Sequence, residues 1–205
     1  MQIRHPLIAK PCKPDYLVTV PATITKENTM SLTRMKLLSV CTLVGLMTLS
    51  TIHQACAADV SMSDKNFFEN AAQANKAEIA ASEMAKSKSK NPQVLKFADQ
   101  MIKDHTEAYA ALSALAKTKS VEIPTEPSLM QKAKAKLLST KDGKDFDEEY
   151  AESIGVAAHK DTVELFEKTA KNADDADVKQ FANKMLPGLK HHLAEAKKLK
   201  ASTDD

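Results

Sequence analysis

The chain has 205 residues, a length that suits one domain with appendages, and its 29 Lys+Arg against 27 Asp+Glu give a formal charge of +2. That charge is unevenly placed: six of the basic and two of the acidic residues precede residue 58, leaving 23 Lys against 25 acids beyond it, a net of −2. A faintly acidic surface with interspersed lysines speaks against nucleic-acid binding, which needs a clustered basic face. All three cysteines (Cys12, Cys41, Cys56) and both arginines (Arg4, Arg34) also precede residue 58. The rest of the chain therefore offers no disulfide, thiolate metal site or thiol nucleophile.

Residues 35–57 read as a secretory signal peptide. Met35-Lys36 supplies a positive start, Leu37 to Ile52 an apolar run, and Ala55-Cys56-Ala57 an A-x-A end. Cleavage after Ala57 gives a mature start at Ala58. The apolar run is shorter than the roughly 20 residues a membrane-spanning helix needs. Cys56 lacks the leucine of a lipobox, since His53 stands three residues before it. Residues 1–34 contain Pro6, Pro11, Pro14 and Pro21 without periodicity, and read as an upstream extension or a mis-assigned start. The expected domain is 58–205, exported to the periplasm, with no integral span in its mature form.

Beyond residue 58 the pattern is helical throughout. Ser63-Asp64 offers N-cap chemistry for a first helix running to about Lys90. Asn91-Pro92 is a cap followed by Pro at the first helical position, and opens a second helix to about Lys119. Two prolines in Val121 to Pro127 make a linker. A short amphipathic piece from about Ser128 to Leu138 follows, then a turn at Lys141-Asp142-Gly143. A third long helix runs from Asp145 to about Lys171. The last runs from about Ala176 to Lys200, with a kink expected at Pro187-Gly188. Val94-x-x-Phe97-Ala98-x-x-Met101 recurs as Val178-x-x-Phe181-Ala182-x-x-Met185, and each copy begins the second helix of a hairpin. Two hairpins joined by a long crossover carrying a short helix make an all-α four-helix bundle.

The apolar stripes are interrupted once in each long helix. They read Ala71, Ala74, Glu78, Ala81, Ala85; then Val94, Ala98, Met101, His105, Ala108, Leu112, Leu115; then Val156, His159, Val163, Phe166, Ala170; then Val178, Ala182, Met185, Leu189, His192, Ala196, Leu199. Counted from the hairpin turns at 1.5 Å per residue, Glu78 is level with His105, and His159 with His192. Glu78, His105, His159 and His192 are therefore expected to converge. Three imidazoles and a carboxylate suit one divalent transition metal, of which Fe, Zn and Mn are the candidates. The alternative is a hydrogen-bonded network without metal. Asp104 is either an outer acceptor or alternative ligand, or a surface residue. His191 is expected to be exposed, Glu152 and Glu195 solvated, and Met84, Met101 and Met185 core filling.

Several segments resemble a known family: Phe67-Phe68-x-x-Ala71-Ala72 with Ala77-Glu78, Phe97-Ala98-x-x-Met101-x-x-Asp104-His105, Phe146-Asp147 with His159, and Leu186-Pro187-x-Leu189-x-x-His192-Leu193. Over roughly 63–199 the chain is similar to domain-of-unknown-function family 4142. That resemblance implies a ferritin-like bundle, export, and a frequent labelling as outer membrane protein, and adds weight to Glu78, Asp104, His105, His159 and His192. It supplies no activity. The Glu-x-x-His pairs of di-iron bundles are missing, because Ile102, Val156 and Leu189 stand three residues before the three histidines. Ferroxidase or oxygenase chemistry is therefore not expected. The functional expectation is an exported bundle binding one divalent metal, in envelope metal handling or stress protection. The alternative is a non-catalytic structural or interaction module. An envelope protein or a second copy is the expected partner.

Overall fold

The computed structural model describes residues 59–204, which contain helices and no strand. The expected signal peptide, 35–57, and the expected upstream extension, 1–34, lie outside the described residues. The first helix, α1, spans Met62–Lys88. Its cap is Ser61 and not Ser63: the Ser61 hydroxyl accepts from the Asp64 amide at 3.1 Å. Helix α2 spans Pro92–Thr118, with Asn91 accepting from the Gln93 amide and Pro92 in the first turn, as the sequence requires. Helix α3, Leu129–Ser139, lies in the crossover and starts with a capping box between Ser128 and Gln131.

The third long helix is irregular, which the sequence pattern does not foretell. It starts as α4, Gly143–Glu149, continues as a π-helical segment, Tyr150–Ala158, and ends as α5, His159–Asn172. The π segment lies close against the last helix, α6, which spans Ala176–Asp204. At Gly155 a Cβ would stand 3.1 Å from the Ala196 Cβ, so any side chain there would press the two helices apart by a few tenths of an ångström. Helix α6 runs on through Pro187, so the Pro-Gly pair does not end it. Asp175 accepts from the Asp177 and Val178 amides and so caps α6.

The most extensive packing is between α1 and α2 and between α5 and α6, the two expected hairpins, and α2 also packs on α6. Buried Asp64 ties the hairpins at one end, accepting from the Asp175 amide at 2.9 Å. Lys119 bridges to Asp175 at 2.7 Å and to Asp177 at 2.5 Å nearby. The apolar core falls into two clusters. One gathers Phe97, Met101, Phe146, Tyr150 and Leu199; the other Phe67, Phe68, Leu112, Phe166 and Val178. The histidines lie between them in sequence on every contributing helix. No helix among the described residues is long and apolar enough to cross a membrane.

Candidate metal centre

The histidines reach the bundle interior by two local devices. His105 continues the α2 stripe one turn after Met101, and is 4% exposed. His192 does the same on α6 after Leu189 and is 6% exposed. His159 is the first residue of α5, set directly after the π segment, and is 1% exposed. The ring centroids form a nearly equilateral triangle, with His105–His159 and His105–His192 at 5.5 Å and His159–His192 at 5.6 Å. One nitrogen from each ring can be chosen so that all lie within 4.8 Å of one another.

The opposite edge of each ring is held by an oxygen. Asn75 of α1 places its Oδ1 3.0 Å from His105 Nδ1. Its own amide nitrogen donates to the Ala71 carbonyl at 2.8 Å, which fixes the amide orientation, so His105 must donate from Nδ1. His192 Nε2 lies 2.9 Å from Asp104 Oδ2 and donates to that carboxylate. His159 Nδ1 faces the Ile154 carbonyl at 3.3 Å, an oxygen turned inward by the π segment. Each ring thus carries its proton on the outside. The nitrogens left are His105 Nε2, His159 Nε2 and His192 Nδ1, and all three are buried without a hydrogen-bond partner. Three buried imidazole nitrogens without a partner, on rings that can bring one nitrogen each within 4.8 Å of the others, could hold a cation.

Glu78 is buried with the trio, but outside the group of nitrogens that face one another. Its Oε1 is 3.6 Å from His159 Nδ1, the outer edge of that ring, and its Oε2 has no partner. One turn further along α1, the Ser82 hydroxyl bonds the Tyr150 hydroxyl at 2.8 Å. Burial pushes the Glu78 carboxyl well above its ordinary range. Burial, and then repulsion from the other two imidazoles, holds His105 well below the ordinary histidine range. His159 is lowered to about 4, by burial first and then by His192, against opposing backbone hydrogen bonds. His105 and His159 are accordingly uncharged at neutral pH, the protonation state that binds metal.

The structure brings His105, His159 and His192 together and sets Glu78 behind His159. Asp104 proves to be an outer acceptor on His192, a role the sequence raised beside a surface one. His191 is exposed and pairs with Glu195 at 3.3 Å, and Glu152 pairs with Lys200 at 3.4 Å. Met101 is fully buried, with Met84 and Met185 packed on the core clusters. Sequence reasoning missed Asn75, although it lies three residues before Glu78 on the buried face of α1. It also missed the Ile154 carbonyl, for which Gly155 was the only trace. A cavity of about 180 Å³, lined by Asn75 and Asp104 and by Phe166 and Phe181, borders His105 and His192.

No curated protein matches the chain. A solved structure described as CopM in the Cu(II)-bound form shares the fold, with a TM-score of 0.57 and 16% identity, over 68% of this chain and 96% of that one. The sequence profile described as Domain of unknown function (DUF4142) matches residues 49–199, and the chain belongs to that family.

Proposed function

We propose that the protein is an exported metal-binding bundle that holds one divalent transition metal through His105, His159 and His192. The observation that carries this reading is the set of three buried, unpartnered imidazole nitrogens: His105 Nε2, His159 Nε2 and His192 Nδ1. A donor set of three neutral imidazoles suits Zn, Cu, Fe and Ni, and leaves room for a further ligand. Asp104 and Asn75 fix the tautomers of His192 and His105, and Glu78 stands close enough to His159 Nδ1 to support that ring. The Cu(II) in the fold neighbour supports a metal role and adds copper to the Fe, Zn and Mn read from the residues. Metal handling or stress protection in the periplasm, in association with the outer membrane or free of it, is the physiological counterpart.

A second reading is a structural module in which the same polar layer serves without metal. The hydrogen bonds to Asn75, Asp104 and Ile154 favour it, because they hold all three rings in place unaided. Elemental mass spectrometry of the mature form, starting at Ala58 and carrying no His tag, separates the two. The metal reading predicts about one metal per chain, lost in a His105→Ala/His192→Ala double variant that stays helical. No metal in either protein after incubation with Fe, Zn, Mn and Cu would leave the structural module.

A further inference from the structure

The crossover helix α3 turns its large apolar side chains away from the bundle. Its inward side carries Gln131 and Ala135, both half-buried, and Leu138, which is buried. Its outward side carries Leu129, Met130 and Leu137, which are 86%, 69% and 69% exposed. Leu129, exposed Ala133 and Leu137 follow at four-residue steps, and Met130 stands seven residues before Leu137, so the four form one stripe. Behind the helix, Ala135 faces Ala77 and Ala81 of α1 across a cleft of about 620 Å³. The side chains large enough to fill that cleft are the ones in solvent.

This rotation is fixed at both ends of the helix. The capping box between Ser128 and Gln131 sets the first turn, and Leu138 is 2% exposed in the last. Tyr109 donates to the Pro124 carbonyl at 3.0 Å ahead of α3, and Lys88 to the Lys141 carbonyl at 2.6 Å beyond it. Turning the stripe inward would bring Leu138 out. Single exposed leucines are ordinary, but three large apolar side chains along one helix face mark a contact surface.

The charge around the stripe selects what covers it. Helix α3 holds three lysines and no Asp or Glu, in a chain whose residues beyond 58 carry 23 Lys against 25 acids. Lys132 and Lys136 stand three residues after Leu129 and Ala133, on one flank of the stripe. Lys134 stands four after Met130 and three before Leu137, on the other flank. All three are exposed. Lys132 pairs with Glu126, while Lys134 and Lys136 make no ion pair among the described residues. An apolar stripe between two rows of lysine suits a surface that is apolar in depth and anionic on both sides of the contact at once. A bilayer with anionic headgroups has that profile: apolar tips enter the acyl boundary, and lysine stems carry their ammonium groups up to the phosphates. A second copy of the chain would set lysine rows against each other. No helix among the described residues is long and apolar enough to cross a membrane, so the contact lies along the surface.

We propose that α3 docks the protein on an anionic phospholipid surface, with Leu129, Met130 and Leu137 in the acyl boundary and Lys132, Lys134 and Lys136 at the headgroups. The proposal goes beyond the metal reading and does not depend on it.

The test is vesicle sedimentation of the mature protein with equal parts phosphatidylglycerol and phosphatidylcholine, beside phosphatidylcholine alone. Binding to the mixed vesicles is at least roughly tenfold tighter than to the neutral ones, and weakens several-fold between about 0.05 M and about 0.3 M salt. Leu129→Ser/Leu137→Ser, at exposed positions, keeps helicity and melting unchanged and loses roughly tenfold or more in binding. Lys134→Gln/Lys136→Gln loses roughly tenfold or more on the mixed vesicles alone. The chain has no Trp, so Met130→Trp reports from the stripe itself, its emission moving to the blue on mixed vesicles. Equal binding to neutral vesicles, undiminished binding of the leucine variant, or no shift from Met130→Trp would each overturn the proposal. Absence of vesicle binding with a dimer that the leucine variant dissolves would give the face to a second copy. Absence of both would leave an acidic protein as its occupant, and either result overturns the lipid assignment. Metal content is read separately in the same samples, so failure here is distinguishable from failure of the metal site.

Discussion

The two apolar clusters and the histidine layer obey opposite rules. In the clusters, polar groups are few and mostly paired: Ser82 finds Tyr150, and Asp64 finds the Asp175 amide. In the layer, four of the five buried side-chain atoms without partners among the described residues are gathered in one place, Glu78 Oε2 and one nitrogen of each histidine. The fifth, Asp147 Oδ1, lies apart on α4, and nothing in the structure explains it. A polar layer meant only to hold the bundle together would be expected to satisfy its own members. This one satisfies the outer edges of its rings and leaves the inner edges bare. The proposed metal reading rests on this difference, with stability in the clusters and a candidate ligand site in the layer.

That division is broken most strongly by truncating a cluster. Phe67 is 2% exposed and packs edge-on against Phe166, with centroids 5.0 Å apart. Phe67→Ala should cost about 3–5 kcal/mol in chemical denaturation. The loss should be equal with and without metal, because the ring belongs to the apolar cluster. A loss confined to the metal-loaded form would show that cluster and layer are not separable.

Acid sharpens the same contrast in metal-free protein. His159 is held at about 4 in the folded state, from an ordinary value of 6.5. Between those limits the unfolded chain takes up a proton that the folded chain refuses. Stability therefore falls as pH drops from 6.5 towards 4, by on the order of 3 kcal/mol for this ring alone. His105 is shifted in the same direction and adds to the loss. Glu78 acts in the opposite sense: its folded value is raised, so its contribution is intact below the ordinary 4.5 and is lost as pH rises past it. Denaturation in a Glu78→Gln background, followed from pH 7 to pH 4, isolates the imidazoles. A flat profile there would contradict their burial as neutral rings.

The smallest expected effect concerns the outer edge of a ring. Asp104→Asn keeps an oxygen acceptor near His192 Nε2 but removes the charge, and should weaken metal binding by about 10–100-fold. Thermal stability of the metal-free form should hardly change, since the Asp104 side chain is 26% exposed. Competition titration against a chromophoric chelator reads the first quantity and a thermal melt the second.

How much of this was legible beforehand follows from what periodicity can encode. The 3- and 4-residue steps placed His105, His159 and His192 on buried faces, and counting from the turns set Glu78 level with His105 and His159 level with His192. Both readings need only a regular rise and a short loop, and Asn91-Pro92 with Asp175 supplied the loops. A face and a height do not fix a rotamer, so the position of Glu78 behind His159 and outside the trio was out of reach. The π segment was hidden for a related reason. Tyr150 to Ala158 suit α or π hydrogen bonding locally, and the close passage of Gly155 against Ala196 belongs to the tertiary packing around them. The cap at Ser61 was missed by two residues because Ser61, Ser63 and Asp64 all have N-cap chemistry. Asn75 was passed over as one polar residue among many on a helix rich in alanine.

The central claim is that three imidazole lone pairs face one another and take a cation. Long-range proton–nitrogen NMR of the histidine rings tests it most directly, in the metal-free mature protein and after one equivalent of Zn(II). The expected spectra show protons at His105 Nδ1, His159 Nδ1 and His192 Nε2, with zinc shifting His105 Nε2, His159 Nε2 and His192 Nδ1 together. Protons found on those inner nitrogens, or no shift with zinc, would contradict it.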